Sequence, residues 1–219
     1  IETTRLGFDK YLFHEWLIKN DFPSIPTWNF EEFDQITPET KMVAKPRSGS
    51  SSVGVYVYES PNQLHRENLT SNYIFQKFIQ GIEVTVDFAV SKTGEVLGII
   101  PRRRLETRAG EVSKGVTIYD SKIERLVSNI ATTLPGAYGI LNIQLILDPI
   151  TKSISVLELN PRFGGGYPLA HISGGNLIKA MNTNRPIKYG KDWTDGKVML
   201  RYDSEVCFND DSFKESPWQ

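Results

Sequence analysis

The apolar positions along this chain change period several times, and each change marks an element. Tyr11, Leu12, Trp16 and Leu17 recur at helical spacing behind Asp9, a residue type that caps helix starts, so a helix is predicted over residues 9–20. Two prolines in residues 21–26 end it. Residues 41–46 form a short apolar strand stopped by proline, 47–54 a loop of Ser and Gly, and 53–58 return to the two-residue alternation of a strand. A polar helix is expected near 60–69. Residues 72–80 and 83–90 are strands on either side of Gly81, and Gly94 turns the second into a partner over 95–100. The charged stretch 102–115 is expected to be irregular. Helical spacing returns at Ile123, Leu126, Val127 and Ile130, which predicts a helix over 121–134. Residues 141–147 and 153–160 are strands joined by a turn at 148–152. A last helix is predicted over 174–181, and beyond Thr183 only residues 197–202 suggest a strand. Helices and strands in irregular order, with hairpins, predict an α+β fold with mainly antiparallel sheets.

The strand ending in Val156-Leu-Glu-Leu-Asn-Pro-Arg-Phe-Gly-Gly-Gly166 carries the most chemistry. Alternation throws Glu158 and Asn160 onto one face. A carboxylate beside an amide oxygen is a hard ligand set of the kind Mg²⁺ prefers, with phosphate oxygens completing its shell. Arg162 follows on the same parity, a planar cation able to grip phosphate or carboxylate in a fork. Pro161 and three glycines then end the strand and let backbone approach a ligand closely. Alone, the pattern also fits a wet edge strand ended by a turn. The hairpin about residues 148–152 brings Gln144 opposite Glu158, within a residue of slippage. Gln144, Glu158 and Asn160 would then form one oxygen-rich patch for one or two Mg²⁺ ions bridging nucleotide phosphates. Gln144 by itself could equally be a satisfied polar residue on a half-exposed strand.

Two further segments bear on a nucleotide. Lys45, on a strand, precedes the loop containing Ser50, Ser51 and Ser52, and such a loop can aim a cation and backbone N–H groups at phosphates. It is not a Walker loop, since no Lys-Ser or Lys-Thr follows its last glycine, and a plain surface turn is the alternative. The strand through Gln76, Lys77 and Phe78 runs into a turn whose free backbone groups could meet the edge of an adenine, with Glu83 accepting from ribose hydroxyls.

Lys45-Pro with its Ser/Gly loop, Gln76-Lys-Phe-Ile-Gln-Gly-Ile-Glu-Val-Thr-Val-Asp87 and Glu158-Leu-Asn-Pro-Arg-Phe-Gly-Gly-Gly-Tyr-Pro168 occur in order and at suitable spacing. Together they resemble an ATP-grasp domain over residues 9–181, most similar to the carbamoyl-phosphate synthase large-subunit branch. The resemblance implies two α+β lobes clasping ATP between antiparallel sheets, here residues 1–77 (linker helix and small lobe) and 78–205 (large lobe with the metal site), with a tail at 206–219. It implies an ATP-dependent ligase that activates a carboxylate, or bicarbonate, as an acyl phosphate for attack by an amine. A non-catalytic ATP-binding module is the alternative from another class. By motif, Lys10 and Lys45 contact phosphates and Ser50, Ser51 and Ser52 fold over them. Gln76, Lys77 and Phe78 hold adenine and Glu83 the ribose. Gln144, Glu158 and Asn160 hold two Mg²⁺ (or Mn²⁺) ions, and Arg162 stabilises the transferred phosphoryl group. Gln76 stands where many relatives carry an acidic residue, so its backbone rather than its side chain is expected to serve. These enzymes carry a further α/β domain ahead of the first helix here, and we expect an upstream domain to be missing.

Composition narrows the partners. In 219 residues a net charge of −1 offers no electrostatic footprint for nucleic acid or an acidic membrane. No apolar run approaches the roughly 18–20 residues that span a bilayer. One cysteine, Cys207, excludes a disulfide framework and fits a reducing cytoplasm. Small-molecule carboxylate and amine substrates are expected, and a homo-oligomer or companion subunit is compatible. In the basic run, Arg108, just ahead of Ala109-Gly110-Glu111, is the best candidate for the acyl-phosphate site, while Arg102 and Arg103 read as a solvated loop. His14, His65 and His171 are scattered and receive no role.

Overall fold

The computed structural model describes residues 2–49, 53–64, 69–108 and 110–203. The expected phosphate contacts of Ser50, Ser51 and Ser52, residues 65–68 of the helix expected at 60–69, Cys207 and the tail at 206–219 lie outside the described residues.

The described chain forms two antiparallel sheets. Strands β1 (Thr27–Trp28), β2 (Met42–Pro46), β3 (Tyr56–Tyr58) and β4 (Tyr73–Lys77) make a four-stranded sheet in the order β1-β4-β2-β3. Strands β5 (Ile82–Val90), β6 (Val96–Arg108), β7 (Glu111–Thr117), β8 (Gly139–Leu147), β9 (Ile154–Asn160) and β10 (Val198–Leu200) make a six-stranded sheet in the order β10-β7-β6-β5-β8-β9. The helices are α1 (Glu2–Phe8), α2 (Lys10–Lys19), α3 (Ser121–Thr133), α4 (Tyr167–Ile172) and α5 (Leu177–Thr183).

The two faces of β5 explain the architecture. Val84, Val86 and Phe88 enter a core built with Ile123, Val127 and Ile130 of α3, Leu6 of α1, and Phe13 and Leu17 of α2. Each such fully buried side chain contributes on the order of 1.5–3 kcal/mol, and Phe88→Ala would cost about 3–5 kcal/mol. Glu83, Thr85, Asp87 and Ala89 point the other way. Ala89 is covered by Tyr167 and Ala170 of α4 and Leu177 of α5, while Glu83 and Thr85 remain open to the space between the sheets. The small sheet packs its own cluster around Met42, Ala44 and Phe75.

Several expectations differ from what forms. The stretch expected to be irregular at 102–115 is a long hairpin: β6 continues to Arg108 and pairs with β7, with register shifts between Arg104 and Thr107. Its partners across the sheet keep it regular despite its charge. The helix expected at 174–181 starts three residues later, as α5 at Leu177, because Gly174 (φ +98) and Gly175 turn the chain between it and α4, a short helix that was not expected. Of the helix expected at 60–69, one 3₁₀ turn forms at Pro61–Gln63. Helix α1 was not expected. It buries Leu6 and Thr3, and bare Gly7 lets it press on Pro161, where a Cβ would overlap the proline ring.

Candidate active site

Between the two sheets lies a cleft of about 460 Å³. On its large-sheet wall, the β8–β9 register sets Gln144 opposite Glu158 and Asn142 opposite Asn160. Asn160 Nδ2 donates to Glu158 Oε1 at 3.1 Å, and Asn142 Nδ2 donates to the Arg162 carbonyl at 2.8 Å. Asn142 therefore holds the turn in place, while Gln144, Glu158 and Asn160 line the cleft as one carboxylate and two amides. Among the described residues no three His, Cys, Asp or Glu side chains cluster as a metal site. Strand alternation stops at Asn160, and Arg162 reaches the cleft instead from the turn that follows, its N–H donating to the Asn160 carbonyl at 2.8 Å.

Lys45 projects from β2 across this patch and is 7% exposed. Burial pushes its ammonium down to about 8. The charge of Lys10 adds to that push and Glu158 opposes it. Lys10 is also pushed down by burial, against the pull of Glu158 and Asp9. It sits at the first position of α2 because Asp9 caps that helix, accepting from the N–H groups of Tyr11 and Leu12. Arg47 pairs with the same carboxylate at 2.7 Å, and Lys10 Nζ donates to the Gly49 carbonyl at 2.8 Å, which ties the helix start to the head of the Ser/Gly loop. Lys45 from the small sheet and Lys10 from α2 thus share the cleft with Glu158 of β9.

Gln76, Lys77, Phe78 and Glu83 line the same cleft. The Gln76 side chain is spoken for: its Nε2 donates to Thr27 Oγ1 at 2.9 Å, joining β4 to β1. The N–H groups of Lys77 and Phe78 are likewise bonded, to the carbonyls of Pro26 and Lys41. Glu83 meets Arg104 at 2.9 Å.

Arg108 and Arg102 exchange their expected places. Arg108 is exposed at the far end of the hairpin, where it grips Asp203 with two bonds of 2.7 and 2.9 Å, and it does not line the cleft. Arg102, expected in a solvated loop, is 2% exposed and lines the cleft floor, because β6 continues through it. Its guanidinium takes both oxygens of the fully buried Asp87. Burial pushes the Asp87 carboxyl up, and Arg102 pulls it back. The Gly164–Gly166 turn rests on this pair: a Cβ on Gly166 would overlap Arg102 Nη1.

A family model for the ATP-grasp domain matches residues 8–166, a span holding every cleft-lining residue named above. This chain belongs to the ATP-grasp family. Among curated relatives, the D-alanine–D-alanine ligase of Thermotoga petrophila is 33% identical over 146 residues, 59% of this chain and 48% of that protein. This ATP-grasp chain spans about half the length of the curated relatives it matches. The fold agrees with that of N5-carboxyaminoimidazole synthetase from Staphylococcus aureus complexed with ADP (TM-score 0.71, 13% identity, 92% of this chain and 58% of that one). It agrees likewise with the biotin carboxylase domain of Hydrogenobacter thermophilus 2-oxoglutarate carboxylase, solved with MgADP and bicarbonate (TM-score 0.71, 17% identity, 89% and 49%).

The residues missed in the sequence are Thr85, Arg102, Arg104, Glu111 and Asn142. Alternation held the signal: Glu83, Thr85 and Asp87 share a face of β5, and counting back through the Gly94 turn sets Thr85 against Arg102.

Proposed function

We propose that this ATP-grasp chain forms the nucleotide site and catalytic centre of an ATP- and Mg²⁺-dependent ligase that joins a carboxylate to an amine through an acyl phosphate. The observation that carries the reading is the sharing of one cleft by Lys10 and Lys45 with Glu158, Asn160 and Gln144. Lys10 and Lys45 grip the ATP phosphates, the end of β4 borders the adenine, and Glu83 meets the ribose. The donor set fits Mg²⁺, with one carboxylate and two amide oxygens, so phosphate oxygens and water must complete the shell. Mg²⁺, when bound, neutralises phosphate oxygens and so favours transfer.

A substrate carboxylate oxygen attacks the γ-phosphorus, the bond to the β–γ bridging oxygen breaks, and ADP leaves with the electron pair. Arg162 and the lysines offset charge on the transferred group. The amine nitrogen then attacks the acyl carbon, phosphate departs with its bonding pair, and the nitrogen gives up its proton to solvent. Residues 1–77 act as linker helix and small lobe, 78–205 as the large lobe and 206–219 as a tail. The test is phosphate release by the full-length protein from Mg-ATP, with amino acids offered singly and in pairs. Release that needs both a carboxylate and an amine supports the reading. Nucleotide binding with no turnover on any pair would leave a non-catalytic module. Release stimulated by bicarbonate would favour the carbamoyl-phosphate synthase-like alternative that the Glu158–Pro168 motif suggests.

A further inference from the structure

Two arginines of β6 line the cleft, and their partners differ in kind. Arg102 is buried and locked on the buried Asp87. Arg104 has a side chain 15% exposed and meets Glu83, whose side chain is 50% exposed, at 2.9 Å between Nη1 and Oε2. Glu83 lines the cleft as well. An ion pair this open to water contributes little to stability. Its part in the molecule lies in what it does to Glu83, not in holding the scaffold.

Strand pairing brings these two side chains together, and the hairpin then holds the arginine from its other side. Val84 pairs with Arg103 at the end of the β5–β6 ladder, and Glu83 and Arg104 are the next residues on each strand. Past that point β6 pairs with β7, and its register shifts directly after Arg104. Arg104 Nη2 donates to the Gly110 carbonyl at 3.1 Å, in the turn that closes the β6–β7 hairpin. One planar guanidinium thus spans from the hairpin tip to the Glu83 carboxylate. The tip bond fixes Arg104 independently of Glu83, so the arginine aims the carboxylate and does not follow it. A lysine ammonium has no such fork. A carboxylate offers about four acceptor sites and one cation does not fill them, so Glu83 keeps room for two hydroxyls.

We propose that Arg104 is a positioning residue for nucleotide selection: it holds the Glu83 carboxylate in the orientation that accepts from the ribose 2′- and 3′-hydroxyls. The assignment rests on the nucleotide reading of the cleft and deepens it, by naming what makes Glu83 selective for a ribonucleotide. Without Arg104 the half-exposed Glu83 side chain samples several rotamers, and binding must then order it at a cost in affinity.

The test is calorimetric titration of Mg-ATP and of Mg-2′,3′-dideoxy-ATP into the full-length protein. Wild type is expected to bind ATP about tenfold to a hundredfold more tightly, the worth of hydrogen bonds to a charged group. Arg104→Met should lose most of that ratio. Arg104→Lys, which keeps the charge but not the fork, should retain part of it. Lost attraction for the phosphates weakens both nucleotides alike, so the ratio separates aiming from charge. On a Glu83→Gln background, Arg104→Met should change the ratio no further. Melting temperatures of the Arg104 variants should stay near wild type. A wild-type ratio in Arg104→Met, with or without weaker binding of both nucleotides, overturns the assignment and leaves the nucleotide reading standing. A wild type that binds both nucleotides equally overturns the ribose role of Glu83, and this assignment with it. A wild type that binds neither overturns the ligase reading as well.

Discussion

The β5–β6 and β8–β9 hairpins lie in one sheet and treat their charges in opposite ways. In β5–β6, the buried Asp87 and the cleft-lining Glu83 each meet an arginine of the neighbouring strand, Arg102 and Arg104. In β8–β9, Glu158 faces only amides within its own sheet, and the cations that balance it, Lys10 and Lys45, come from α2 and from the other sheet. The first hairpin balances its charges within its own sheet. The second is balanced only across a gap, and a phosphate chain with its cation fits such a gap.

The sharpest way to break this contrast is at Arg102. Arg102→Met strands Asp87 in the interior, and removal of one partner of a buried pair costs about 3–5 kcal/mol. Urea denaturation should show it, and Asp87→Asn on top of Arg102→Met should recover part of the loss. A midpoint that does not move would mean that the pair is no part of the scaffold. Next in size is Glu158→Gln, nearly isosteric, with turnover expected to fall on the order of 10²–10³-fold and the melting temperature expected to hold or rise. A folded variant with wild-type turnover would return Glu158 to an ordinary strand position.

Lys45 gives a smaller, graded effect. Held down to about 8 mainly by burial, it is charged below that pH and loses its hold on phosphate above it. KM for ATP should therefore rise as pH climbs through about 8, and Lys45→Arg should flatten that rise. The stability consequence runs the other way. Between about 8 and the ordinary 10.5 the folded protein binds fewer protons than the unfolded chain, so the nucleotide-free protein should gain stability as pH rises through that window. Arg108→Ala should have the least effect, because its pair with Asp203 is exposed and outside the cleft. Phosphate release and KM for ATP should match wild type.

What could be read in the sequence follows the same division. The β8–β9 register was legible to within one residue because a short turn sets the pairing, and a shift of register between Gln144 and Leu145 then brings Gln144 opposite Glu158. Helix α2 was legible from its cap at Asp9 and its apolar spacing, and α3 from apolar spacing alone. The β6–β7 hairpin was hidden, because its arginines are balanced by partners such as Asp87, 15 residues away, and Asp203, 95 residues away. A charged run looks solvated until its counter-charges are placed. Helix α1 was hidden for a related reason: it is held by Pro161 and Pro135, far along the chain.

The central claim is that Glu158, left without a cation in its own sheet, is where metal and nucleotide meet. Calorimetric titration of ATP into wild type and Glu158→Gln, each with Mg²⁺ and with a chelator, tests it most directly. Wild type should bind ATP more tightly with Mg²⁺ than without, and Glu158→Gln should lose most of that difference while staying folded. An equal Mg²⁺ dependence in both proteins would contradict the account.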